Sequence, residues 1–172
     1  MTSPLGGEIE TDVEDVDLDD LCFTARALAQ THPMSGPALR YRQECFERER
    51  ERQHMTDLAD WASTALLVGY CLRRSEEKVV GRLRQPVDVD SASFSETAAA
   101  LSETLRTGDA QSVTLLPPDL AIAAIDQIIG TEIHKRDEHI REQLTESAWT
   151  EFEGYIAWWV VHGYCMRVVE TP

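Results

Sequence analysis

The chain has no cysteine pair at C-x-x-C spacing; Cys22, Cys45, Cys71 and Cys165 lie far apart within apolar, helix-patterned stretches. That excludes the common zinc and dithiol motifs, and it points to free, buried thiols of a reducing compartment rather than to a disulfide framework. Bases are scarce as well, with 16 Lys and Arg against 31 Asp and Glu and a net charge of -15. Such a field repels nucleic-acid phosphates and anionic lipid surfaces, so neither a nucleic acid nor a membrane is an expected partner. A basic N-terminal stretch followed by an apolar one is lacking, which leads to the expectation of no signal peptide and a cytoplasmic location. The longest apolar stretches, residues 62–72 and 154–166, fall well short of the roughly 20 residues of a membrane span. Also missing are a glycine-rich phosphate loop, a G-x-S-x-G elbow and any sustained apolar–polar alternation that would make a strand.

What is present fits a single globular domain: 172 residues, 42% of them hydrophobic, enough to bury a sizeable core. Residues 1–17 read as an acidic tail. Eight acids (Glu8, Glu10, Asp12, Glu14, Asp15, Asp17, Asp19 and Asp20) stand among the first twenty residues, with no base between them. Ile9, Val13 and Val16 recur there at helical spacing and offer a face for docking.

Six helices are expected from residue 18 on. The first runs from Leu18 to Thr31 and ends at the segment Pro33-Met34-Ser35-Gly36-Pro37. The second covers Ala38–His54, and the third runs from Thr56 to about Leu83, before Pro86. Ser93-Phe94-Ser95-Glu96 has the Ser-x-x-Glu form of a capping box and opens the fourth, which Gly108 closes. Residues 110–116 read as extended, and Pro117-Pro118-Asp119 introduces a fifth helix to Leu144. Thr150 and Glu153 form another capping pair, placing the start of the sixth near Glu151 and its end near Glu170.

Shifting the sequence against itself by 94 positions aligns helices two and three with helices five and six without a gap. Gly69-Tyr70-Cys71 meets Gly163-Tyr164-Cys165, and Arg73 and Glu76 meet Arg167 and Glu170. The apolar stripe Leu58, Trp61, Ala62, Ala65, Leu66 and Leu72 falls on Phe152, Tyr155, Ile156, Trp159, Val160 and Met166, which keeps one helix face. The expectation is an all-α bundle of about six helices in two repeats, about 18–84 and 94–170, related by a pseudo-two-fold axis. Gly69 and Gly163 sit mid-helix, where glycine costs about 1 kcal/mol against alanine; a close crossing of the two central helices there would offset that cost.

Candidate chemistry is sparse. The run Glu47-Arg48-Glu49-Arg50-Glu51-Arg52 reads as a solvated helix face with paired charges, or as a charge-matched contact between subunits. Glu51-x-x-His54, with Glu132, His134, Glu138 and His139, has part of the spacing of carboxylate-bridged metal bundles, but helix three has no Glu before Glu76 and helix six offers only Glu151, Glu153 and His162, so the pattern is incomplete. Glu44-x-x-Glu47 followed by Asp57-x-x-Asp60 would suit Mg²⁺ ions that bind nucleotide phosphates and activate water. These residues resemble the all-α nucleoside triphosphate pyrophosphatases of the MazG-like group, whose hallmark is Glu-x-x-Glu followed by Glu-x-x-Asp. The resemblance spans about 17 residues and has Asp57 where that family has Glu; it implies a Mg²⁺-dependent hydrolase using Glu44, Glu47, Asp57 and Asp60. In the second repeat Glu138 persists, with Arg141 and Gly154 at the places of Glu47 and Asp60. Trp61, Trp158, Trp159 and His162 could line an apolar pocket of a small-molecule sensor, or simply fill the core, with His162 a buried, hydrogen-bonded histidine.

With no complete catalytic constellation, the leading expectation is a non-catalytic helical protein that works by self-association or by binding a protein partner, without a cofactor or metal. The Mg²⁺-dependent hydrolase and the apolar-pocket sensor are the alternatives.

Overall fold

The computed structural model describes residues 17–31, 34–53, 56–81, 91–106, 123–129 and 145–170. Among these residues every regular element is a helix and none is a strand. In chain order the helices are α1 (Leu18–Ala29), α2 (Gly36–Gln53), α3 (Thr56–Val80), α4 (Ser91–Arg106), α5 (residues 123–129) and α6 (Glu146–Glu170). The acidic tail, the extended segment 110–116 and most of the expected fifth helix lie outside the described residues. None of the described helices is long and apolar enough to cross a membrane.

Local chemistry explains most boundaries. The Asp17 carboxylate accepts from the Asp19 N–H at 2.9 Å and caps α1, with Asp19 and Asp20 in the first turn where the helix dipole favours negative charge. Ser35 caps α2 in the same way, its hydroxyl accepting from the Ala38 N–H at 3.3 Å. Gly81, at φ +80°, ends α3 in the left-handed conformation, a little before the expected Leu83. α6 starts five residues before the expected Glu151. Thr145 is its cap, its hydroxyl accepting from the Ala148 N–H at 3.1 Å, while Thr150 lies inside the helix and donates back to the Glu146 carbonyl. Two threonines compete for one capping role, and the earlier one wins because the added turn buries Trp149 against Phe152.

The centre of the molecule is the crossing of α3 and α6, the most extensive helix–helix contact. α1 and α2 pack on α3, and α4 packs on α6. Every residue from Ala65 to Arg73 is buried, and so is every residue from Trp159 to Arg167; only a helix covered on all sides shows that pattern. Leu66, Leu72 and Met166 are at most 1% exposed, each burial contributing about 1.5–3 kcal/mol.

The two central helices touch backbone to backbone. A Cβ placed on Gly69 would lie 1.9 Å from the Val160 carbonyl oxygen, and one on Gly163 would lie 2.0 Å from that of Leu66. The contacts are reciprocal: Gly69 and Leu66 occupy in α3 the places that Gly163 and Val160 occupy in α6 under the 94-residue shift. No side chain but hydrogen fits at either glycine, which accounts for the mid-helix cost noted above.

Candidate functional site

One turn beyond each glycine the crossing turns polar, and the bundle carries its densest chemistry there. Arg73, Glu76 and Glu77 come from α3; Arg167 and Glu170 come from α6. Arg167 is fully buried, Glu76, Glu77 and Glu170 are each 1% exposed, and Arg73 is 7% exposed. Charges so deep survive only if paired and hydrogen-bonded. The Arg167 guanidinium donates through Nε and Nη2 to both oxygens of Glu77, at 3.1 and 2.8 Å, and through Nη1 to Glu170 at 2.9 Å. Burial would draw protons off Arg167, but the hydrogen bonds and charge of Glu77 outweigh it and hold the guanidinium protonated more firmly than usual.

Two tyrosines complete the network. Tyr164 Oη donates to Glu76 and accepts from Arg73 at 3.1 Å, and Tyr70 Oη donates to Glu170. Each arginine also lies over the opposite tyrosine: Arg73 over Tyr164 at 5.5 Å from the ring centroid, Arg167 over Tyr70 at 5.8 Å. Burial first, and then the Glu170 carboxylate, raise Tyr70 far above the normal phenol range, so it stays protonated. Arg73–Tyr164–Glu76 and Arg167–Tyr70–Glu170 thus bring the same three residue types together at the helix crossing, the first with Arg73 donating to the tyrosine hydroxyl, the second with Arg167 donating to Glu170 and lying over the Tyr70 ring. Glu77, which also approaches Arg73 Nε at 3.7 Å, has no counterpart, because Thr171 stands at the shifted position. The sequence comparison pairs these residues but does not reveal that they meet; the available signal was an Arg-x-x-Glu placed identically at the end of two apolar helices.

The expected site residues are placed as follows. Glu44 and Asp60 are exposed. Glu47 accepts from Gln43 at 2.9 Å and pairs with Arg50, and the Asp57 side chain lies outside the described residues. Among the described residues no three His, Cys, Asp or Glu side chains form a group able to hold a metal ion. Trp61 lines a shallow apolar recess of about 240 Å³, part of it open to solvent, with Thr64, Ala65, Val68, Ile128, Ile129, Ile156 and Val160. Trp158, Trp159 and His162 are not among its walls. They form a separate aromatic cluster, the two indoles edge to face at 4.6 Å and the imidazole 4.8 Å from Trp158. His162 is 2% exposed and its Nε2 is 2.6 Å from the Tyr41 hydroxyl.

The four cysteines are buried and free. Burial pushes the thiol of Cys22 up to about 11 and those of Cys71 and Cys165 up to about 12, which suppresses the nucleophilic thiolate.

No protein-family model matches the chain, and neither a curated protein nor a solved structure is significantly similar to it.

Proposed function

We propose that this chain is a non-catalytic helical protein, built from two related helical units, that acts by associating with itself or with a protein partner. The observation carrying this reading is that, among the described residues, the buried groups capable of chemistry are engaged with one another: the central arginines, glutamates and tyrosines are mutually bonded and the thiols are sealed in. What faces solvent instead is suited to contact. Phe23 on α1 is 66% exposed, and Leu39 at the start of α2 is 45% exposed. Side chains of this kind can supply the apolar core of a protein interface, where aromatic residues are enriched.

The two-unit origin is supported by the reciprocal glycine contacts, the two Arg–Tyr–Glu groupings at the crossing and the matching buried runs 65–73 and 159–167. The acidic balance disfavours nucleic acid and lipid as partners, and four free thiols suit a reducing, cytoplasmic setting. The Mg²⁺-dependent hydrolase reading has weaker support, since Glu47 is engaged by Gln43 and Arg50. So does the sensor reading, since the recess beside Trp61 is shallow and encloses room for little more than a single water, far below the roughly 300 Å³ of a ligand pocket.

Light scattering on the purified chain, together with affinity capture from lysate, tests the association. A defined oligomer or a stoichiometric partner that Phe23→Ser weakens is expected; a strict monomer with no captured partner overturns the reading.

A further inference from the structure

α2 is held to the two central helices in different ways. Against α3 it packs helix to helix, and Arg42 Nε donates to the Ser63 carbonyl across that seam at 2.9 Å. It makes no comparable packing with α6. Three side-chain rungs span that gap: Ser35 donates to Glu170, Tyr41 meets His162 at 2.6 Å, and Tyr155 donates to Glu49 at 2.6 Å. Numbers rise along α2 as they fall along α6, so the rungs run from one end of α2 to the other in antiparallel order. The inward stripe of α2 is Ala38, Tyr41, Cys45 and Glu49, thin apolar anchorage for an 18-residue helix. Elements with few buried apolar contacts are the first to open.

We propose that α2 is an acid-released strap: protonation of His162, on the middle rung, frees α2 from α6 while α3 and α6 stay paired.

The geometry around His162 leaves no place for a second proton. Nε2 is taken by Tyr41, and Nδ1 is buried with no hydrogen-bond partner among the described residues. A charged ring would therefore bury an unpaired N–H donor. Among the described residues, the titratable or charged groups α2 brings to the cluster are Tyr41, Cys45 and Arg48, the last a cation. α6 surrounds the ring with Trp158 and Trp159, and α4 reaches the cluster through Phe94, which meets Tyr41 edge to face at 5.6 Å. No carboxylate stands among these groups to stabilise an imidazolium. Burial, and then Arg48, lower His162 to about 4 from its ordinary 6.5.

The sign follows from linkage. The closed state binds fewer protons than the open one between pH 6.5 and 4, so closure is fully favoured above pH 6.5 and weakens as the pH falls toward 4. The open population rises about 30-fold from pH 7.5 to pH 5.

Hydrogen exchange of the full-length chain, read by mass spectrometry and corrected for the intrinsic rate at each pH, tests this. Peptides within Gly36–Gln53 are expected to lose about 30-fold in protection between pH 7.5 and 5, while those within Thr56–Val80 and Glu146–Glu170 keep theirs. Unchanged protection of α2, or joint loss across all three helices, overturns the proposal. His162→Phe, which can still stack on Tyr41, should abolish the pH dependence, and its persistence would overturn the proposal too. If that variant does not fold, Tyr155→Phe serves: it removes an end rung, should raise α2 exchange at both pH values and should leave their ratio near 30-fold. Unaltered α2 exchange in it counts against the ladder.

Discussion

Arg167 and Glu77 are joined by two parallel hydrogen bonds, 3.1 and 2.8 Å long, across the crossing of the central helices, with neither residue more than 1% exposed. A bidentate pair this deep contributes less to net stability than its geometry suggests, because both ions lost their water. It does make the chain intolerant of losing one partner alone, since Arg167 would then keep only Glu170 at 2.9 Å, and Glu77 only the more distant Arg73 at 3.7 Å, in a site that excludes water.

Glu77→Gln or Arg167→Met should therefore destabilise the protein by about 3–5 kcal/mol, read from the midpoint shift of a urea transition. The double variant Glu77→Gln with Arg167→Met should cost less than the two single losses added together, because each single change already breaks the same pair of hydrogen bonds. A double variant no better than the sum of the singles would mean that the two side chains are not coupled.

The glycine contacts separate close approach from helix propensity. Gly69→Ala and Gly163→Ala each drive a Cβ to within about 2 Å of a backbone carbonyl oxygen, and backbone cannot step aside as a side chain can. Each should cost upwards of about 3 kcal/mol. Gly154 lies in the same helix as Gly163 with open space around it, so Gly154→Ala should stabilise by up to about 1 kcal/mol. Thermal melts of the three variants check both directions at once.

The thiols supply a test of the interior. With burial raising the pKa of Cys22, Cys45, Cys71 and Cys165, a thiol-specific reagent at pH 8 should leave all four unmodified in the native chain and label all four in denaturant. Rapid labelling of Cys45 in the native protein, faster than that of Cys71 or Cys165, would show α2 opening even without acid.

Much of the interior was legible beforehand. The stripes of Leu66, Leu72, Val160 and Met166 mark helical faces because a 3.6-residue period exposes the same side every turn. The all-helical class followed from that periodicity and from the absence of alternation. The start of α6 was less so: Thr145 and Thr150 are both competent caps, and only the burial of Trp149 favours the earlier one. His162 was legible as a buried residue of an apolar helix, whereas its partner Tyr41 lies 121 positions away, beyond the reach of any local pattern.

By itself, the sequence determined which segments coil and which faces turn inward, since propensity, capping and periodicity act over a few residues. It also determined the register in which Gly69-Tyr70-Cys71 repeats at Gly163-Tyr164-Cys165. Tertiary structure decided what those matched segments do to each other. Charged side chains are ordinarily solvated, so nothing local marks Arg73, Glu76, Glu77, Arg167 and Glu170 as interior. They become so because two glycines bring the helix backbones into contact, and every side chain on the next turn must find its partner within the seam.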